Sequence, residues 1–229
     1  ITSATAFGAS YNPSTAAIKL LALQTLLTDS KASIEAVNIA LTAYSNAVGV
    51  REAVFMPFSK LITRVNNALK ASDTTVQVDE SAQTIVRKLQ GRRASAKITD
   101  EEKKALEAEG KEVNQISATQ LSYDSRLENL DKLIMLLESV PYYKPNEEDL
   151  KVESLKSLQN GLKAKNNDVV VASIQLSNAR IARNELLYKP LTGLVDTAFD
   201  FKVYIKSVFG ATSPQYKQIS KLKFVDKKD

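Results

Sequence analysis

Arginine and glutamate residues gather near two prolines of the sequence, and these residue types suit anion binding or buried ion pairs. Arg51 falls on an apolar row of a predicted helix, where an unpaired charge is costly. Three interpretations stay open: an ion-pair network that fixes helix register, a pocket for an anion or ligand, and a mechanical hinge. The residues that we assign to this candidate polar layer are Arg51, Glu52, Arg92, Arg93, Arg180, Arg183 and Glu185.

The sequence lacks the residue types on which most enzyme chemistry depends. It contains no histidine and no cysteine, which excludes the commonest general base, the usual zinc ligands and Ser-His or Cys-His nucleophiles. It shows neither a glycine-rich phosphate loop nor a repeated inward spacing of carboxylates. We therefore predict a non-enzymatic protein with no catalytic, cofactor-binding or metal-binding residues.

Positive charge is concentrated at the C-terminal end of the chain. The net charge of +5 arises in residues 202–229, because acidic and basic residues balance in the rest. We predict either a solvated terminus or a basic tail that binds an acidic partner, phosphates or acidic lipid. Sequence-specific binding of nucleic acid is not expected, since no helix-turn-helix signature precedes the tail and its aromatic residues are sparse. The candidate residues of this tail are Lys217, Lys221, Lys223, Lys227 and Lys228.

Long amphipathic helices must position these residues. Steps of three and four residues from Leu20 to Leu69 visit fifteen positions, of which thirteen are apolar. This 3.5-residue spacing is typical of coiled-coil-like helices. We predict an all-α fold, an elongated antiparallel bundle of long, kinked, coiled-coil-like helices. No apolar run reaches the roughly 18 residues that a transmembrane helix needs.

Two segments that each contain a proline resemble one another. The residues REAVFMPFSKLI at 51–62 align with NELLYKPLTGLV at 184–195, so that Glu52 matches Glu185 and Pro57 matches Pro190. Duplication or a shared structural need is the favoured explanation, and chance similarity of two amphipathic helices is the alternative. Because interior prolines kink helices, we predict kinks at Pro57 and Pro190.

Residue counts along three antiparallel segments place both prolines and the Gly91-Arg92-Arg93 run at the same level. We therefore predict a three-helix stalk joined at the kinks to a shorter helical head. The stalk contains residues 12–56 with 97–187. The head contains residues 57–96 with 188–229, including the basic tail.

The stretches IVRKLQGRRASAK at 85–97 and VFGATSPQYKQISKLKF at 208–224 resemble a set of uncharacterised helical proteins from Bacteroidota. The resemblance extends along most of the chain. It implies a bacterial source and no activity, and it transfers no site residues.

The predicted function is that of a non-enzymatic structural or interaction protein, such as a stalk, spacer or assembly subunit. Alanines at 40, 47 and 68 would permit close approach of another helix, so we expect a protein partner or self-assembly. One alternative is a pore-forming or membrane-active helical bundle. A second alternative is a ligand- or anion-binding module at the kink. The sequence indicates neither a cofactor nor a compartment.

Overall fold

A computed structural model describes residues 1–92 and 121–225 of the chain, together with the helical positions Lys104 and Ala108. In this part of the chain the regular secondary structure is helical throughout, which confirms the predicted all-α fold class. In chain order the α-helices are α1 (Thr2–Ala6), α2 (Leu20–Phe55), α3 (Phe58–Lys70), α4 (Val76–Gln90), α5 (Tyr123–Glu138), α6 (Val152–Tyr188), α7 (Leu194–Phe209) and α8 (Pro214–Ser220). Short 3-10 turns at Ala16–Ile18 and Glu148–Leu150 precede α2 and α6, which have 36 and 37 residues.

Both prolines of the sequence repeat lie where a long helix is interrupted. At Pro57 the interruption is short, because α2 ends at Phe55 and α3 begins at Phe58. The N–H of Leu61 still donates to the Pro57 carbonyl at 3.2 Å, so α2 and α3 form one long helix with a bend. At Pro190 a loop of five residues separates α6 from α7. A proline cannot donate the backbone hydrogen bond that would continue either helix.

The loop at Pro190 has a constrained backbone. Leu191 adopts a φ of 69°, and its N–H donates to the Asp196 carboxylate at 2.7 Å. A Cβ at Gly193 would lie 2.7 Å from both the backbone nitrogen and the carbonyl oxygen of Lys189. Only glycine therefore fits at position 193.

The chain divides into two compact units. One unit is Ala47–Val170, and the other combines Ile1–Asn46 with Val171–Asp229. The sequence predicts a different division, in which residues 57–96 join residues 188–229. In the structure α3 packs on α4 and α4 packs on α5, because the apolar faces of these three helices share one core.

The unit Ala47–Val170 is an antiparallel helical bundle. Near one end of the α3–α4 hairpin, Gln90 donates to the Ser59 carbonyl at 3.3 Å, and farther along Asn66 donates to Gln83 at 3.2 Å. α5 and α6 are antiparallel as well, since Asn166 donates to Asp124 at 2.7 Å while Lys156 pairs with Glu138. The core between these helices contains fully buried aliphatic side chains, among them Ile62, Leu69, Leu89, Leu133 and Leu155.

The unit formed by residues 1–46 and 171–225 contains a cluster of aromatic side chains. The ring of Phe7 lies 5.0 Å from that of Phe209, and the ring of Tyr11 lies 5.6 Å from that of Phe201. α7 also packs against α8, where Ile205 and Ile219 are buried. Aromatic contacts thus connect the first residues of the chain to α7.

Among the described residues, no helix combines the length and apolar character that crossing a bilayer requires.

Candidate functional site

Arg51, the central member of the predicted polar layer, is half-buried near the end of α2. Its guanidinium carbon lies 3.9 Å from the centroid of the Tyr123 ring, and its Nη1 donates to the Asn166 side chain at 3.1 Å. Asn166 in turn donates to Asp124. The Nε of Arg51 is buried and has no hydrogen-bond partner in the described part of the chain. The contacts of this charge are therefore an aromatic ring and a side-chain amide.

Two further members of the predicted layer belong to the same unit as Arg51. Glu52 and Arg92 are both exposed to solvent. Arg93 lies outside the described residues. Neither described residue adds a charge to the contacts of Arg51.

The remaining members of the predicted layer belong to the unit formed by residues 1–46 and 171–229. Arg180 is exposed. Arg183 donates to the side chain of its neighbour Asn184 at 3.1 and 2.7 Å. Glu185 forms an exposed ion pair with Lys189 at 3.3 Å. Arg183 and Glu185 thus each contact a residue of their own helix or of the loop that follows it, and they do not contact one another.

The predicted basic tail is exposed as far as it is described. Lys217, Lys221 and Lys223 are exposed, and Lys227 and Lys228 lie outside the described residues. The two aromatic side chains of this region contact other lysines: the Nζ of Lys202 lies 5.1 Å from the centroid of the Phe224 ring, and the Nζ of Lys206 lies 5.9 Å from that of Tyr216. The exposed lysines remain accessible to an acidic partner.

A loop motif that was not expected from the sequence is found in the described part of each unit. In the unit Ala47–Val170 the hydroxyl of Tyr143 donates to the Leu150 carbonyl at 2.7 Å, and in the other unit Tyr11 donates to the Ile18 carbonyl. Each bond closes a loop that contains a proline two residues after the tyrosine and ends in a 3-10 turn. We call residues 11–19 and 143–151 the first and second tyrosine clamps.

The two clamps have nearly the same backbone geometry. The residue before the 3-10 turn has φ and ψ of −68° and 121° at Thr15, and of −69° and 120° at Glu147. The lysine after the turn has −65° and 148° at Lys19, and −64° and 148° at Lys151. The sequence signal is a tyrosine, a proline two positions later and an Ile-Lys or Leu-Lys pair at the end.

Burial raises the pKa of both clamp tyrosines. It raises the pKa of the Tyr143 hydroxyl to about 12, and the carboxylates of Asp149 and Glu147 act in the same direction. Burial likewise raises the pKa of Tyr11 to about 12, with a further contribution from Tyr204. Both hydroxyls therefore stay protonated, as hydrogen-bond donors, well above neutral pH.

The clamps lengthen the internal repeat that was recognised around Pro57 and Pro190. The chain therefore contains two copies of one longer arrangement. Each copy consists of a clamp, a long helix, a proline and a following helix. In each unit the clamp of one copy meets the post-proline helix of the other copy: the turn Ala16–Ile18 contacts α7, and the turn Glu148–Leu150 contacts α3. The two units are thus built from equivalent pieces.

A groove of about 470 Å³ lies between α3 and the second clamp. At its edge the guanidinium of Arg64 pairs with the Asp149 carboxylate, and the Nη2–Oδ1 distance is 3.1 Å. This ion pair raises the pKa of Arg64. We call this feature the α3 groove and define it by Arg64, Asn67, Ala68, Ala71, Lys144 and Glu147.

The apolar row of α2 divides into a buried edge and an exposed edge. Ser30 and Val37 are buried, whereas Leu27, Ile34 and Leu41 are 37, 46 and 43% exposed. The sequence predicts one apolar row at these positions and does not separate its two edges. We call Leu27, Ile34 and Leu41 the α2 row.

The fold and these surfaces define a helical-bundle protein with two tyrosine-clamped units. Comparison with known proteins finds no matching family model, no matching curated protein and no matching solved structure.

Proposed function

We propose that this protein is a non-enzymatic structural or interaction protein, an assembly subunit that associates with a second copy through the α2 row. The observation that carries the proposal is the combination of seven-residue spacing and exposure in Leu27, Ile34 and Leu41. Residues seven apart lie on nearly the same side of a helix. The α2 row therefore presents half of a helix–helix interface to solvent.

The surroundings of the α2 row support an interface. On one side the row borders the buried residues Ser30 and Val37. On the other side helical geometry places exposed polar residues, such as Lys31 and Asn38. An apolar centre with a polar edge is the usual composition of a protein interface. Burying the row in an interface stabilises the complex by about 25 cal/mol for each Å² of apolar surface removed from water.

A second copy is the occupant that this geometry favours. Soluble homo-oligomers are mostly twofold-symmetric, so that the same patch on both subunits must match itself. Three branched aliphatic side chains in a straight row meet this condition, because their knobs and the holes between them repeat at the same distance.

The test replaces the α2 row and compares the variant with a matched control. Leu27→Gln/Ile34→Gln/Leu41→Gln removes the row, while Leu21→Gln/Ile39→Gln changes two side chains that are 75 and 62% exposed elsewhere on α2. Size-exclusion chromatography with multi-angle light scattering measures the mass of each protein over a range of concentrations. We expect a dimer for the wild type and the control, and a monomer for the row variant. A wild type that stays monomeric at every concentration overturns self-assembly.

Liposome leakage distinguishes this proposal from the pore-forming alternative. An assembly subunit releases no dye from vesicles in the absence of other proteins. Dye release by the purified chain would count against the proposal, because only a membrane-active protein makes vesicles leak.

A further inference from the structure

The space beside the first clamp is filled by aromatic side chains of α7. The N–H of Asn12, the residue after the clamp tyrosine, donates to the Tyr204 hydroxyl at 3.0 Å. The ring of Tyr204 meets the ring of Tyr11 edge-on, with the centroids 5.4 Å apart. Phe201 completes this cluster at 5.6 Å from Tyr11. The Tyr204 side chain thus packs on the first clamp and accepts a hydrogen bond from it.

Alanine stands at the equivalent place beside the second clamp. The repeat that matches Pro57 with Pro190 also matches Ala71 with Tyr204, and an alignment of the first residues of α3 and α7 matches Ala68 with Tyr204. Both alanines line the α3 groove. Under either alignment, the groove lies where the first clamp holds a tyrosine ring.

The residue equivalent to Asn12, whose N–H donates to Tyr204 in the other unit, also lines the α3 groove. Lys144 follows Tyr143 as Asn12 follows Tyr11, and it lines the groove. Within the described residues the backbone N–H of Lys144 makes no hydrogen bond. Lys144 is exposed, so this N–H is open to an acceptor from outside the chain.

The charges around the α3 groove favour a neutral occupant. Arg64 is paired with Asp149, and the other two charged residues of the lining, Lys144 and Glu147, have opposite charges. A phosphate or carboxylate ligand would require an excess of positive charge. A volume of about 470 Å³ lies within the range of small-molecule sites.

We infer that the α3 groove binds an unmodified tyrosine side chain presented by a partner protein, in the way that the first clamp binds Tyr204 of its own chain. The ring packs against Ala68, Ala71 and the second clamp, and its hydroxyl accepts from the N–H of Lys144. This site is independent of the association through the α2 row, because none of its residues belongs to α2.

The first test is a titration of the ¹⁵N-labelled full chain with N-acetyl-L-tyrosinamide, followed by NMR. We expect shifts of the backbone amide signals of Ala68, Ala71 and Lys144. N-acetyl-L-phenylalaninamide lacks the hydroxyl and should bind about threefold to tenfold more weakly. Signals of the groove that stay unmoved by N-acetyl-L-tyrosinamide at saturating concentration would overturn the inference.

The second test fills the groove from within. Ala71→Tyr and Ala68→Tyr supply the missing ring, and Ala53→Tyr at an exposed position of α2 serves as the control. At least one groove variant should melt about 3 °C or more above the control, which corresponds to about 1 kcal/mol for a chain of this size. The same variant should lose the shifts caused by N-acetyl-L-tyrosinamide. Shifts that persist in both groove variants contradict the inference.

A second copy of the chain is the other occupant to be tested. If Ala71→Tyr abolishes dimerisation while N-acetyl-L-tyrosinamide fails to shift the groove signals, the groove belongs to a self-interface and the inference is overturned. Dimerisation lost only in the α2 row variant concerns the proposed function and leaves this site unaffected.

Discussion

The Tyr143 hydroxyl donates a 2.7 Å hydrogen bond to the carbonyl of Leu150, which lies two residues before α6 begins. Tyr11 makes the corresponding bond to Ile18 before α2. Both long helices therefore begin from a loop that is closed by a tyrosine hydroxyl. The two long helices, α2 and α6, are thus preceded by the same loop structure.

The clamp bond should contribute measurably to stability. Tyr143→Phe removes the hydroxyl, so the Leu150 carbonyl loses its side-chain hydrogen-bond donor. We expect the free energy of unfolding to fall by about 1 kcal/mol. Urea denaturation measures this change. Tyr142→Phe, at a side chain 67% exposed, is the control and should have no effect. Equal effects of the two substitutions would contradict the role of the clamp.

The clamp tyrosines should make stability depend on alkaline pH. Each has a pKa of about 12 in the folded chain against an ordinary value of 10. A raised pKa means that the folded state holds the proton more tightly, so the contribution is complete below pH 10 and is lost as the pH rises from 10 to 12. We expect the stability difference between the wild type and Tyr11→Phe/Tyr143→Phe to shrink over this interval. A difference that stays constant up to pH 12 would refute the assignment.

Arg51 and Tyr123 should be energetically coupled. The guanidinium lies 3.9 Å from the ring centroid in a half-buried setting, where cation–π contacts contribute about 0.5–2 kcal/mol. A double-mutant cycle with Arg51→Met and Tyr123→Leu should give a coupling of that size, measured by denaturant unfolding. The cycle of Arg51→Met with Tyr142→Leu is the control. A coupling near zero for Tyr123 would mean that the contact stabilises nothing.

Leu191 should be replaceable by glycine with a gain in stability. Its φ of 69° is unfavourable for leucine, and its side chain is 81% exposed, so little burial is lost. Relief of about 1–2 kcal/mol of strain exceeds the entropy cost of glycine, about 0.5–1 kcal/mol. Thermal denaturation of Leu191→Gly should show a higher melting temperature. Leu222→Gly, at an exposed residue whose φ is not positive, should show no gain.

The sequence predicted the features that depend on local chemistry. The thirteen apolar positions between Leu20 and Leu69 indicated a long helix, and the ring of Pro57 indicated where that helix bends. The fold class follows from these local preferences, because helical periodicity and missing backbone donors act within a few residues.

Helix pairing and burial could not be derived in the same way. Residue counts give helix lengths but not the side-chain contacts by which α3 packs on α4 and α4 on α5. The division of the α2 row from the buried Val37 likewise depends on packing. The clamps were missed because the residues between Pro13 and Ile18 differ from those between Pro145 and Leu150.

Disulfide cross-linking tests association through the α2 row most directly, because the chain contains no cysteine of its own. Ile34, at the centre of the row, meets its counterpart in a parallel or an antiparallel twofold arrangement, and a disulfide requires a Cα–Cα distance of about 4.4–6.8 Å. Mild oxidation of Ile34→Cys should give a covalent dimer rapidly, whereas Ile39→Cys, at a more exposed position of the same helix, should dimerise without forming a covalent cross-link. No covalent dimer of Ile34→Cys, or equally fast cross-linking of Ile39→Cys, would contradict the proposed assembly.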